Sequence, residues 1–320
     1  MRRILLACTA SILLYGVAFG CLLDRPLTLG ALRARIEANL ALGRSIHRPK
    51  LVILAGSNGP YSHRCETISH IIGWPCVNAG VAVGIGLDYL FTRWKPRLQP
   101  GDIVYLPLEE VQYSRPRAVN NLGPDAAMML RHDRETLVTL PLRRQIAALF
   151  ACDLRAAVMS LVETALADDN FNDPRVAATG EYNEWGDHIG HTAALAALNQ
   201  PALAAITPFH PTGAQIRSGY GSVLVVAFLE WAEAHGVRVI GGLPVGFIDS
   251  PLGDDELEAI RAVFRDNGAE FLETSEGARY PRNAFFDTPD HLNETVQISH
   301  SVAVARGLAQ LTGLEMVRSR

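Results

Sequence analysis

The sequence lacks the features of a nucleic-acid or dinucleotide binder. Its 29 lysines and arginines fall short of its 33 aspartates and glutamates, a formal net charge of −4, so no basic surplus tracks a phosphate backbone. It holds only 5 cysteines in 320 residues and no CxxC pair, which excludes a disulfide-dense scaffold and a cysteine-built structural zinc. Gly80, Gly84 and Gly86 do not have the GxGxxG spacing of a dinucleotide site, and the GxxxxGK phosphate loop is absent. The GxSxG elbow is missing too, which counts against a secreted lipase or protease. Charge is sparse at 19% against 48% hydrophobic residues. Such a chain buries a core and does not stay disordered. No cofactor and no nucleic-acid partner are expected.

Long apolar runs are equally scarce. One stands out, the uncharged stretch from Ile4 to Leu23, led by Met1-Arg2-Arg3 and closed by Asp24-Arg25. At 1.5 Å per residue a run of that length matches a ~30 Å hydrocarbon layer, and the basic leading flank keeps this end cytoplasmic. Residues 1–23 are therefore expected to be a membrane anchor of the bacterial inner membrane. The alternatives are a signal peptide cleaved near Ala18-Phe19-Gly20 or a lipid anchor at Cys21. In each case the rest of the chain is periplasmic or secreted. An oxidising compartment makes Cys65 and Cys76 candidates for a disulfide; the alternative is that they and Cys152 are small buried thiols.

After a linker and short helix over 24–50, with the helix at Leu29–Leu42, one domain is expected over 51–320. Leu51-Val52-Ile53-Leu54-Ala55 is a continuous apolar run stopped by Gly56-Ser57-Asn58-Gly59, the pattern of a strand buried on both faces of a parallel sheet. A helix is expected over Tyr61–Ile72, a second strand near Cys76–Asn78, an amphipathic helix over Gly86–Leu98 and a third strand over Ile103–Leu108. Alternation at this spacing predicts an α/β fold, a doubly wound parallel sheet in a flavodoxin-like three-layer sandwich. Residues 110–210 break the rhythm and read as a helical insertion, with one helix at Pro141–Leu166. It resumes with a helix at Thr212–His235, a strand at Val237–Gly242, a helix at Asp254–Asn267, a strand at Ala269–Leu272 and a closing helix over Asn293–Leu311.

Chemistry is expected at the carboxyl ends of the strands. Ser57 follows the first strand, where N–H groups of the next turn could hold an oxyanion. Asp287-Thr-Pro-Asp290-His291 precedes the last helix, and a histidine beside carboxylates is suited to activate a serine. Asn78-Ala79-Gly80 ends strand two and Glu109-Glu110 follow strand three. His188 and His191, three apart, lack a local third ligand, so they read as part of a polar loop by the cleft and not as a metal site. His63 and Arg64 follow the serine closely enough to touch substrate.

Gly56-Ser57, Asn78-Ala79-Gly80 and Asp287–His291, in this order and placement, resemble three conserved blocks of the SGNH (GDSL-like) hydrolase superfamily. The closer likeness is to its exported branch of envelope polysaccharide O-acetyltransferases. The resemblance covers roughly 50–110 and 237–311. It implies Ser57 as nucleophile, His291 as base, and the Ser57 and Gly80 N–H groups as oxyanion donors. It implies an acylated envelope polysaccharide as substrate and a membrane acyltransferase as partner. Two positions depart from the pattern. Glu109 and Glu110 stand where the superfamily supplies an asparagine donor, leaving Asn58 as a substitute donor or a weaker oxyanion hole. The acid is not three residues before the histidine, where Thr288 stands. Asp287 is favoured over Asp290, with Glu109 and Asp187 as further candidates. The expectation is a serine-dependent acyl transferase or esterase. Its alternative is a catalytically degenerate relative that binds polysaccharide or assists an export assembly.

Overall fold

In a computed structural model of the chain, residues 1–23, 27–121, 129, 133–148, 181–274 and 277–317 are described. The strands are β1 Leu51–Ile53, β2 Cys76–Asn78, β3 Ile103–Leu106, β4 Glu181–Tyr182, β5 His188–Ile189, β6 Arg238–Gly242, β7 Gly246–Phe247, β8 Glu270–Leu272 and β9 Arg279–Tyr280. Five of them form one sheet in the order β2-β1-β3-β6-β8, and every neighbouring pair in it is parallel. The remaining four make two short ladders, β4 with β5 and β7 with β9.

The pleat explains the layers. Successive strand residues face opposite sides, and here both sides are buried. Leu51, Ile53, Ile103 and Tyr105 join one cluster with Ile68, Ile72, Val304 and Leu308, which belong to the helices Cys65–Ile72 and Glu294–Thr312. Val52, Leu54, Val104 and Leu106 join the other with Phe91, Phe228 and Phe264, from the helices Leu87–Trp94, Tyr220–Ala234 and Asp254–Arg265. The expected α/β sheet with helices on both faces is therefore observed.

Two expected helices are interrupted. The stretch 61–72 is split into Asn58–Ser62 and Cys65–Ile72. The stretch 212–235 divides at Gly219, where a Cβ would collide with the Tyr113 carbonyl oxygen. Of the expected insertion, 149–180 lies outside the described residues, and with it Cys152 and most of the helix expected at 141–166.

The expected anchor needs correction. Arg2–Leu23 is helical, and Ile4, Leu5, Leu6, Ile12, Leu13 and Leu14 are exposed on it. Among the described residues, however, no helix is long and apolar enough to cross a membrane. The helix after Arg2–Leu23 runs Leu27–Ser45 and sends Ile36 and Leu40 into the core.

Cys65 and Cys76 form a disulfide across 11 residues, with their Cα atoms 5.2 Å apart. It ties the first residue of the Cys65–Ile72 helix to the first residue of β2. Loop-closure entropy for so short a loop is worth about 3 kcal/mol. Cys65→Ser/Cys76→Ser is therefore expected to lose about that much stability in a denaturant melt. A loss under 1 kcal/mol would show that the segment is held by its other contacts.

Candidate active site

The site lies at the carboxyl ends of β1, β2 and β3, where the order of strands reverses and the chain leaves the sheet in opposite directions. Ser57 Oγ is 2.8 Å from His291 Nε2, and His291 Nδ1 is 2.7 Å from Asp287 Oδ1. The structure thus brings together the serine, the histidine and the favoured acid. A residue four before the histidine reaches it because the segment is a closed turn. Phe286 N–H donates to the His291 carbonyl at 2.7 Å, and Phe285 pairs with Leu292. Ser62 braces the same turn, its hydroxyl donating to the Asp290 carbonyl at 2.8 Å and accepting from Leu292 N–H at 3.2 Å.

The His291 ring is held on its face as well. Tyr61 stacks on it at 4.0 Å between centroids, and His188 stacks on Tyr61 at 4.0 Å. His188 and His191 meet Nδ1 to Nδ1 at 3.0 Å. Burial, and for His188 also the neighbouring His191, pushes His188 down to about 2 and His191 down to about 4, so both are neutral near pH 7. Among the described residues no group of three or more His, Cys, Asp or Glu side chains could hold a metal ion. Tyr61 was missed in the sequence, although its place four residues after Ser57 was a signal.

Several expected substrate contacts turn out to be structural. Asn78 is buried, and its amide donates to the carbonyls of Gly59 at 3.0 Å and His63 at 2.8 Å and to Asp187 Oδ1 at 3.0 Å. Its amide is engaged within the fold, tying the serine turn to the helix break and to Asp187. Asp187 accepts from Cys65 N–H at 2.7 Å and Glu66 N–H at 3.1 Å, so it caps that helix and does not orient His291. His63 is fully buried against Tyr105 and His300, with burial pushing it down to about 4. Arg64 pairs with Glu294 at 2.7 Å and Glu66 at 3.0 Å. Asn58 Nδ2 donates to the Pro107 carbonyl at 2.7 Å, so the amide expected as a substitute oxyanion donor instead ties the serine turn to the end of β3.

Gly80 does approach the nucleophile. A Cβ there would fall 2.8 Å from the Gly56 carbonyl oxygen and 2.8 Å from the Gly59 Cα, so only glycine lets the β2 turn pack on the serine turn. Ser57 precedes the short helix Asn58–Ser62, and N–H groups at a helix start have no intrahelical acceptor.

Three carboxyls gather beside this turn. A cavity of about 110 Å³ is lined by Glu109, Glu110, His210, Phe247, Arg279 and Asp290 among others. Arg279 Nη2 reaches Glu110 Oε1 at 3.4 Å. Asp290 is pushed up to about 7 by burial first and Glu110 second, against the pull of His291 and Arg279. Its carboxyl faces this acidic group, which leaves Asp287 as the acid on His291. A folded-state pKa above the unfolded carboxylate value of about 3.9 means the folded state holds the extra proton between those two pH values. Wild-type stability then falls as pH rises through that window. Asp290→Asn is expected to gain on wild type by up to about 1.4 kcal/mol per pH unit from pH 4 to 7. Parallel urea midpoints across that range would show Asp290 ionising normally.

No protein-family model matches the chain, and no curated protein matches it.

Proposed function

We propose that this protein is a serine-dependent acyl transferase or esterase, with O-acetyl as the favoured group, acting on an extracytoplasmic polysaccharide through an acyl-enzyme on Ser57. The observation that carries the reading is the continuous relay of 2.7 and 2.8 Å from Asp287 through His291 to Ser57. His291 Nε2 takes the Ser57 proton as Oγ bonds to the acyl carbon, then gives it to the departing alcohol. A sugar hydroxyl or water repeats the sequence in reverse to collect the acyl group. Asp287 fixes the imidazole with Nδ1 protonated, and Tyr61 fixes its plane.

The resemblance of the three site blocks to the SGNH superfamily supports the acyl chemistry, and to its exported branch the polysaccharide substrate. The basic N-terminal flank and the exposed apolar residues of the helix Arg2–Leu23 support a place at the outer face of the bacterial inner membrane. There a membrane acyltransferase would supply the acyl donor. The disulfide between Cys65 and Cys76 is in keeping with an oxidising compartment.

A chromogenic acetyl ester with an oligosaccharide acceptor tests this. Chromophore release that depends on Ser57, with acetyl appearing on the sugar or as acetate, is expected. Release equal in wild type and Ser57→Ala would overturn it. A second reading, a polysaccharide-binding protein without catalysis, is favoured by the Glu109 carboxyl beside Gly56, since a carboxylate there repels an oxyanion. Sugar binding that persists in wild type without any ester turnover would select it.

A further inference from the structure

Glu109 ends the β3 segment as Ser57 ends that of β1, and β1 and β3 are neighbours in the sheet. The Glu109 carboxyl lies against Gly56, the residue before the nucleophile, so closely that a Cβ on Gly56 would collide with Oε1. The Asn58 backbone N–H hydrogen-bonds the carboxyl, yet the buried Oε1 has no partner. An ionised oxygen buried without a donor is costly, whereas a protonated one is a donor in want of an acceptor. The charged groups around it come from four elements. Asp290 and His291 stand on the histidine turn, Glu110 beside it in the chain, Arg115 after the helix Glu110–Ser114, and Arg279 on β9 against Glu110. Burial first, then Asp290 and Glu110, hold the Glu109 carboxyl well above the usual carboxylate range, and Arg115 opposes them. Asn58 and Asn78, the other side-chain amides near the turn, are engaged elsewhere.

We propose that Glu109 carries its proton on Oε1 and donates it as a hydrogen bond to the oxyanion that forms when Ser57 Oγ attacks an ester carbonyl. The inference rests on the acyl-transfer reading and deepens it. The carbonyl π pair moves to oxygen as the Oγ–carbon bond forms, the Ser57 proton goes to His291, and Glu109 keeps its own proton throughout. It would act with the Ser57 N–H group, since the Gly80 N–H is turned to Asn78 Oδ1 at 3.4 Å. The glutamate that departs from the SGNH pattern would thereby do the work of the missing asparagine, by a route already known for buried carboxylic acids elsewhere.

Burst acylation by p-nitrophenyl acetate tests this with wild type, Glu109→Leu and Glu109→Gln, each checked for folding by its thermal melt. Glu109→Leu removes the donor and is expected to slow acylation about 10²- to 10³-fold with little change in KM. Glu109→Gln restores an N–H donor that does not titrate. It is expected to recover all but about tenfold of that loss, without the alkaline fall that wild type shows once Glu109 ionises. Glu109→Leu acylating as fast as wild type would overturn the proposal, as would an alkaline fall in Glu109→Gln parallel to wild type. The glutamine profile decides alone should the leucine variant not fold. No Ser57-dependent p-nitrophenol release by wild type, in burst or steady state, would overturn the acyl-transfer reading and this inference together, whereas wild-type release unmoved by Glu109→Leu overturns this inference alone.

Discussion

Ser57→Ala is expected to lower ester turnover by at least about 10⁴-fold in kcat, with the protein folded and its melt unchanged. The methyl group removes the attacking oxygen and the 2.8 Å contact with His291 Nε2, and no other hydroxyl replaces them. Ser62, the nearest serine in sequence, is spent on the Asp290 carbonyl. His291→Ala is expected to fall to a similar level, because without the base Ser57 stays protonated. The double variant should then be no slower than either single one, since the two groups act as a unit. Asp287→Ala should cost less, about 10²-fold. Its side chain is 38% exposed, so water partly replaces its charge, and Tyr61 still holds the ring. Equal and small losses at all three positions would mean that the relay does not carry the reaction.

The second large effect lies at the opposite end of the sheet. Lys50, just before β1, and Asp102, just before β3, form an ion pair at 2.7 Å with side chains 1% and 0% exposed. Asp102 also accepts from the Lys50 N–H at 3.1 Å and the Gln99 N–H at 3.0 Å. Asp102→Ala strands a buried ammonium and two N–H groups, and is expected to cost about 3–5 kcal/mol, or roughly 10 °C in Tm. The double variant Lys50→Met/Asp102→Leu should recover much of that, because it removes the unpaired charge along with its partner. A single variant as stable as wild type would show that water reaches Lys50.

Much of this was legible in the sequence because it is local. The apolar run at Leu51–Ala55, stopped by glycine and serine, fits a buried strand with a turn, and three such runs in alternation with helices imply the sheet. Ser57, His291 and Asp287 are short-range patterns tied to those elements. What stayed hidden depends on partners far apart in the chain. Lys50 and Asp102 are 52 residues apart, and each alone reads as an ordinary surface charge. Asn78 looks like a cleft residue until the broken helix presents carbonyls to it. The break itself comes at His63 and Arg64, where the polar pattern of 61–72 is compatible with continuous helix. Asp187 lies 122 residues from the N–H of Cys65 that it caps. Asp290, next to the histidine in sequence, sits in a tight turn, and its carboxyl is drawn into the acidic group with Glu110.

The most direct measurement is the intact mass of the protein after brief exposure to an activated acetyl ester, wild type beside Ser57→Ala. The account predicts one acetyl adduct of about 42 Da on wild type, mapping to Ser57 and absent from the variant. Folded wild type that takes up no adduct between pH 6 and 9, or an adduct that persists in Ser57→Ala, would contradict it.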